Sequence, residues 1–350
     1  MTSKTPIFLL GATGYIGGSV LARLLAHPNA NTFDITVLVR SPEKAGKLKT
    51  FGVTPVLGSL EDLKLLEDLA SKAHVVFSCA NSDDLPSVNA ILKGMRKRHT
   101  SEGDLPILIH TSGTGVLTYG DDAKGMSVSE KVYDDANADE IESLPETALH
   151  RHVDLPIVRA DKEGYLKSYI VLPSNVWGIA KNSLVDAGII NPHSKLIPMF
   201  ISAALARGRI GVVGKGIPVW GNVEIEELAN LFIILYDALT KDPENVGHGR
   251  DGYYFGIGKD ANFSWYEVAK EIGTVLVELE IHKEAEPDSF TREELVKYLG
   301  FAEIDLYIGT SSRGVANRSK SLGWNPRQGT RGMLESIKSE VEAQLKQQKE

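Results

Sequence analysis

The sequence predicts an α/β protein: a doubly wound parallel sheet, with a smaller lobe supplied mainly by the C-terminal half. Three observations carry that expectation. Short apolar, β-rich runs alternate with helix-length segments through the first half. A glycine-rich turn joins the first run to the first helical segment. After Pro173 the alternation loosens into helices with few strands between them.

The runs occupy residues 6–10, 34–39, 53–57, 74–78, 106–110 and 168–172. Each is apolar nearly throughout, as parallel strands covered by helices on both faces require. Segments 15–25, 60–69 and 84–97 carry helical spacing between them, and this βαβ rhythm implies parallel strands with right-handed crossovers. A run at 252–256 is expected to add a seventh strand. Segments 197–206, 226–239, 265–279 and 332–346 read as helices. The last is polar, with Met333, Ile337, Val341 and Leu345 on one stripe, and is expected at the surface. The acidic stretch 134–146 has few core residues and reads as a loop or short helix over the functional site. The expected division is a main domain over 1–180, with 223–256 returning to it, and a lobe drawn mainly from 181–350 (181–222 and 257–350).

Composition narrows the function classes. With 42% hydrophobic and 24% charged residues, the 350-residue chain is that of an ordinary globular protein. A formal net charge of −8 argues against nucleic acid or an anionic membrane as partner. The densest basic run, Lys93-Gly-Met-Arg-Lys-Arg-His99, reads as the solvated end of a helix. Cys79 is the only cysteine, so neither an intrachain disulfide nor a cysteine metal cluster can form, and it reads as a buried thiol. The apolar stretch 7–10 is too short for a signal or a membrane span, and a cytoplasmic location is expected. No His/Asp/Glu spacing suggests a metal, and no Gly-x-Ser-x-Gly suggests a hydrolase.

Gly11-Ala-Thr-Gly-Tyr-Ile-Gly17 sits between a strand and a helix. Gly11 permits the sharp turn, Gly14 lets the backbone approach a pyrophosphate, and Gly17 lets the helix pack close to the strand. Thr13, Tyr15 and Ile16 belong to the same phosphate-binding element, whose helix N-terminus presents free N–H groups. This is a Rossmann dinucleotide site. An NAD site usually ends the second strand with Asp or Glu; here the strand ends Val37-Leu-Val-Arg40-Ser41, with Lys44 just beyond. Arg40 can pair with a 2′-phosphate and Ser41 can donate to it, so the expected cofactor is NADP(H). Solvation of Arg40 at the surface is the alternative.

The order of motifs resembles the extended short-chain dehydrogenase/reductase family, in its NAD(P)-dependent epimerase/dehydratase-like branch. Beside Gly11–Gly17, His110-Thr-Ser-Gly113 matches the end of the family's fifth strand, and Leu172-Pro-Ser-Asn-Val-Trp-Gly178 its segment bordering the nicotinamide. Val223-Glu-Ile-Glu-Glu-Leu-Ala229 and Leu322-Gly-Trp-Asn-Pro326 match two later motifs. The resemblance implies that Asn81, Ser82, Pro173, Asn175 and Val176 border the cofactor. Ser112, Thr114, Trp177 and His193 are expected on the substrate side, and Trp220 and Tyr254 as aromatic walls, with core packing as the commoner fate of such rings.

One departure bears on chemistry. The family's acid/base pair is Tyr-x-x-x-Lys, expected here near Glu146 and His150, and Pro145-Glu-Thr-Ala-Leu-His-Arg-His-Val-Asp154 contains neither residue. The substitutes are Ser112, His150 oriented by Asp154 one helical turn on, and the loop tyrosines Tyr133 and Tyr119. A surface or capping role for His150 and a backbone-bonded hydroxyl at Ser112 are the alternatives. The expected function is an NADP(H)-dependent oxidoreductase moving a hydride to or from a small organic carbonyl, imine or activated alkene. The other readings are a nucleotide-sugar epimerase or dehydratase and a non-catalytic NADP(H)-sensing regulator. The expected partners are a small-molecule substrate and a second copy of the chain in a homodimer.

Overall fold

Seven strands make the central sheet: β1 (Thr5–Leu10), β2 (Phe33–Val39), β3 (Thr54–Leu57), β4 (Val75–Ser78), β5 (Ile107–Thr111), β6 (Lys167–Pro173) and β7 (Tyr253–Gly256). They lie in the order β7-β6-β5-β4-β1-β2-β3, and every pairing is parallel. The computed structural model describes residues 4–118, 124–300 and 304–347. The seventh strand is present at the edge, beside β6. Ile7, Phe8, Leu9 and Leu10 are all buried, since helices cover both faces of a central strand and neither face can be polar.

The helices that matter for the site are α1 (Tyr15–Leu25), α2 (Pro42–Lys49), α3 (Leu63–Ala70), α4 (Leu85–Glu102), α5 (Arg151–Lys162), α6 (Leu196–Arg207), α7 (Ile225–Lys241), α8 (Trp265–Glu278) and α9 (Thr330–Gln347). Strand order reverses on the two sides of β1, between β2 and β4. The carboxyl ends of β1 and β4 therefore flank a crevice, the usual ligand position in such sheets.

Two hydrophobic clusters form. The larger unites the sheet with α1, α4, α5 and α7, and also takes in Leu184, Ile189, Ile190, Ala316 and Trp324. The second gathers α6, α8 and α9 around Phe200, which stacks on Trp265 at 5.0 Å. Among the described residues no helix is long and apolar enough to cross a membrane.

Helix α9 lies at the surface with its stripe turned inward: Met333, Ile337 and Val341 are fully buried in the second cluster, and so is Glu340. One expectation about a segment is corrected. The acidic stretch 134–146 does not lie over the functional site. Residues 133–134 pair with 314–315, and Ala138–Glu142 forms a short helix held by Arg250 through Asp139 and Glu142. The anchor is Asp135, a buried carboxylate that accepts from the amides of Phe255, Arg318 and Ser319 and so ties the stretch to β7. Its negative charge serves attachment. The basic run of α4 is likewise paired, Lys93 and Lys97 with Glu67, Arg96 with Glu163 and Arg98 with Asp104.

Candidate functional site

The glycine-rich turn shows why the fold requires glycine at positions 11 and 17. Gly11 has φ +84°, and a Cβ there would collide with the Cys79 carbonyl. A Cβ on Gly17 would lie 2.5 Å from the Gly11 oxygen and 3.0 Å from Cys79 Cβ, so α1 approaches β1 and β4 too closely for any side chain. Gly14 differs: it caps α1 at φ −89°, and a Cβ there meets only the Gly11 oxygen, at 3.2 Å. The space before the helix is open, no side chain caps it, and no acidic residue lies in its first turn. An anion fits this cradle. Cys79 is buried behind it, its thiol pushed up to about 12 by burial.

At the end of β2, Arg40 is exposed and forms no ion pair among the described residues. Ser41 caps α2 by accepting from the Lys44 amide at 3.3 Å, which leaves its O–H free to donate. Lys47 pairs with Glu43 and is not available in the same way.

A cavity of about 1200 Å³ opens at the carboxyl ends of the strands. Tyr15 and Ile16 reach it from the turn, Asn81, Ser82 and Asp83 from the end of β4, and Ser112 and Gly113 from the end of β5. Pro173, Asn175 and Val176 enter after β6, and Tyr307 enters from a short helix, Ile304–Ile308.

His150 stands at the centre of its polar wall. It precedes α5 in a left-handed conformation, φ +66°, and its Nδ1 is 2.7 Å from Asp83 Oδ1, with Ser82 Oγ at 3.3 Å. Burial alone would raise the Asp83 pKa. The His150 hydrogen bond and charge, the His152 charge and the Ser82 hydroxyl outweigh it and hold the carboxyl below its usual range. An ionised Asp83 accepts a hydrogen bond from Nδ1–H, so Nε2 is the ring atom left to act. Room for the ring comes from absent side chains: a Cβ on Gly113 would sit 3.1 Å from Nε2, and one on Gly115 3.3 Å.

Ser112 is buried and donates to Asp154 Oδ2 at 3.1 Å. Asp154 is fully buried, and its other oxygen has no partner among the described residues. Burial pushes its pKa up to about 6, against the pull of the His150 charge, the Ser112 hydrogen bond and Arg151. A folded-state pKa above the unfolded value means that the stabilisation is complete below about pH 4 and is lost as pH rises through 6. Asp154→Asn cannot ionise. Its stability relative to wild type is therefore expected to improve between pH 4 and pH 8 by up to about 3 kcal/mol. Parallel thermal-denaturation curves for the two proteins across that range would refute this. His110, one strand position inward, is also fully buried, and burial takes its pKa down to about 3, so it stays neutral and structural.

Asp154 was expected to orient His150; that place belongs to Asp83, because the Asp154 carboxyl turns inward to Ser112. The pair brought to Ser112 is thus His150 and Asp154, one turn beyond the positions counted for Tyr and Lys. A Tyr-x-x-x-Lys does occur at Tyr266 and Lys270, where both side chains bond Glu286 on the exposed face of α8. Tyr133 is not at the cavity: it pairs with Gly314 in a two-residue strand and carries Lys131 over its ring. Thr114 is buried in a 3-10 turn beneath the wall, its carbonyl accepting from Ser312. Trp177 turns into the second core and donates to Asn222, and His193 faces the buried Glu340 at 3.6 Å. Trp220 is buried and donates to Thr310, while Tyr254 is a core residue of β7. Tyr119 lies outside the described residues. Asp83 and Tyr307 escaped the sequence reading. Asp83 follows Asn81 and Ser82 closely enough to have been found, whereas nothing local marks Tyr307.

The fold is the Rossmann architecture of the NAD(P)-dependent, epimerase/dehydratase-like extended short-chain dehydrogenase/reductases, and its glycine-rich turn leaves room for an anion at a helix N-terminus. Residues 3–94 match the NmrA-like family. The chain is 29% identical over 343 residues to the oxidase ucsJ of Acremonium sp, covering 93% of each. Over 113 residues it is 35% identical to phenylcoumaran benzylic ether reductase of Ginkgo biloba, covering 29% of this chain and 35% of that one. Among solved structures it is similar to UDP-glucose 4-epimerase from Bifidobacterium longum in complex with NAD+ and UDP, with TM-score 0.62, 16% identity and 98% of each chain covered. Its fold is therefore that of a structure solved with NAD+, and its sequence relatives include an oxidase and a reductase.

Proposed function

We propose that the protein is an NADP(H)-dependent oxidoreductase acting on a small organic carbonyl, imine or activated alkene. The observation that carries this reading is that the glycine-rich turn and the Asp83–His150 pair line one cavity. The N-terminus of α1, opened by Gly14, would hold the pyrophosphate, and Arg40 with Ser41 the 2′-phosphate. When bound, the nicotinamide supplies or accepts the hydride. His150, with Nδ1 held by Asp83, delivers or removes the proton at Nε2. The Ser112 hydroxyl donates its proton to Asp154, which leaves proton transfer to His150.

The cavity suits this better than nucleotide-sugar chemistry. Leu149 and Leu306 stand exposed at its mouth, 40% and 52%, and offer apolar surface to an acceptor. The missing Tyr–Lys pair favours, as second reading, an NADP(H)-sensing regulator.

Titration of NADPH and NADH by fluorescence tests the cofactor. NADPH is expected to bind at least tenfold tighter, and Arg40→Asp to erase that preference, a loss on the order of 2 kcal/mol. Equal affinities in the wild type would overturn the assignment.

A further inference from the structure

Tyr307 reaches the cavity from the short helix Ile304–Ile308, far from the strand ends that supply the rest of the polar wall. Its ring is fixed. One face meets Trp220 edge-on at 4.8 Å, and the absence of a side chain at Gly115 makes room on another, where a Cβ would lie 2.7 Å from Tyr307 Cε2. That same Cβ would be 3.3 Å from His150 Nε2, so the phenol and imidazole rings stand on either side of one glycine.

The hydroxyl is uncommitted. Tyr15, Tyr253 and Tyr254 each engage theirs with a protein partner, Gly178, Arg151 and Gly247 respectively. The Tyr307 hydroxyl forms no hydrogen bond to the described residues, although its side chain is enclosed by the cavity wall. Burial, and then the charge of Asp83, raise its pKa, so the group stays protonated and remains a donor. A rigid, uncommitted donor beside a proton-transfer group is the arrangement that stabilises charge developing on a reacting oxygen.

We propose that Tyr307 is a catalytic residue whose hydroxyl donates a hydrogen bond to the acceptor oxygen beside His150, and that the acceptor is an uncharged compound with an apolar body. This rests on the oxidoreductase reading. In the reductive direction the acceptor carbon gains a hydride from the reduced nicotinamide, which is oxidised. The C=O π pair moves to oxygen, and the proton on His150 Nε2 passes to that oxygen to complete the alcohol. Tyr307 keeps its own proton throughout. Leu149 and Leu306 at the mouth, with Ile16 and Val176 inside, take the apolar body, where an ionised group would lose its hydration.

The test uses the full chain with NADPH and two probes that differ in charge, 4-nitrobenzaldehyde and 4-carboxybenzaldehyde. Tyr307→Phe keeps the ring against Trp220 and removes only the hydroxyl. It is expected to lower kcat/KM for 4-nitrobenzaldehyde 10- to 100-fold, with NADPH affinity and Tm unchanged. The carboxylate probe is expected to be at least tenfold poorer with the wild type. A variant within twofold of wild-type turnover overturns the role of Tyr307 and leaves the oxidoreductase reading standing. Equal turnover of the two probes overturns the acceptor class. A fall in NADPH affinity matching the loss of rate reassigns Tyr307 to the cofactor and also overturns the proposal. If the wild type binds NADPH but oxidises it with neither probe, nor with a wider set of ketones, imines and enones, the oxidoreductase reading fails and this proposal with it.

Discussion

Gly14→Val is expected to abolish dinucleotide binding in a chain that still folds, whereas Gly17→Ala is expected to damage the fold itself. The two residues lie three apart in the same turn, but their surroundings are opposite. Gly14 has ordinary backbone angles and open space before it, so a side chain is accommodated by the protein and occupies the position the pyrophosphate needs. A bound dinucleotide draws much of its affinity from the amides at that helix end, and a branched side chain excludes it by a factor of at least about 100. Gly17 is enclosed by backbone: even a methyl group meets the Gly11 carbonyl at 2.5 Å, and the atoms that would have to move belong to the β1 turn and β4. Overpacking of this kind costs about 1–3 kcal/mol, and more where backbone must shift. Thermal denaturation and NADPH titration on both variants separate the effects. Retained affinity in folded Gly14→Val would show that the turn is not the phosphate site, and an unchanged Tm for Gly17→Ala would contradict the close approach of α1 to β4.

The second large effect is expected at His150. Asparagine tolerates the left-handed backbone that this position adopts, whereas phenylalanine would add strain, so His150→Asn is the cleaner removal of the imidazole. Turnover of a carbonyl probe is expected to fall by about 10²–10⁴, the usual contribution of a positioned acid or base, with NADPH affinity within a fewfold of wild type. Asp83→Asn should give a smaller loss, because it weakens the hold on Nδ1 without deleting the ring. Unchanged turnover in His150→Asn would remove the proton-transfer role and leave the ring as packing between Gly113 and Gly115.

Local patterns were readable wherever a short stretch of chain meets its own constraint. Each apolar run became a strand because a central parallel strand has no polar face to offer, and Gly11 and Gly17 held their places because strand and helix approach within one turn. Helix ends were displaced by a few residues. Helix α4, for instance, runs on through its basic segment to Glu102, since Glu67, Glu163 and Asp104 neutralise charges that alone would mark an end. The polar pattern of α9 suggested the surface, but Glu340 is buried beside His193, a placement that spacing along the helix cannot reveal.

By itself, the sequence determined the doubly wound sheet, the glycine cradle and the absence of an acidic residue at the end of β2, because each depends on neighbours in the chain. Only the tertiary structure decided the composition of the polar wall. Asp83 comes from the end of β4, Ser112 from β5, His150 from before α5 and Tyr307 from the far end of the chain, and the sheet order brings them together. The same packing turned Trp177 and Trp220 inward and drew Tyr133 to the edge, since burying large aromatic rings outweighs any local preference to face a pocket. The pairing of His150 with Asp83 rather than Asp154 has a similar cause. The first turn of α5 aims Asp154 at Ser112 beneath the sheet edge, and the left-handed residue before it swings the imidazole out to the loop after β4.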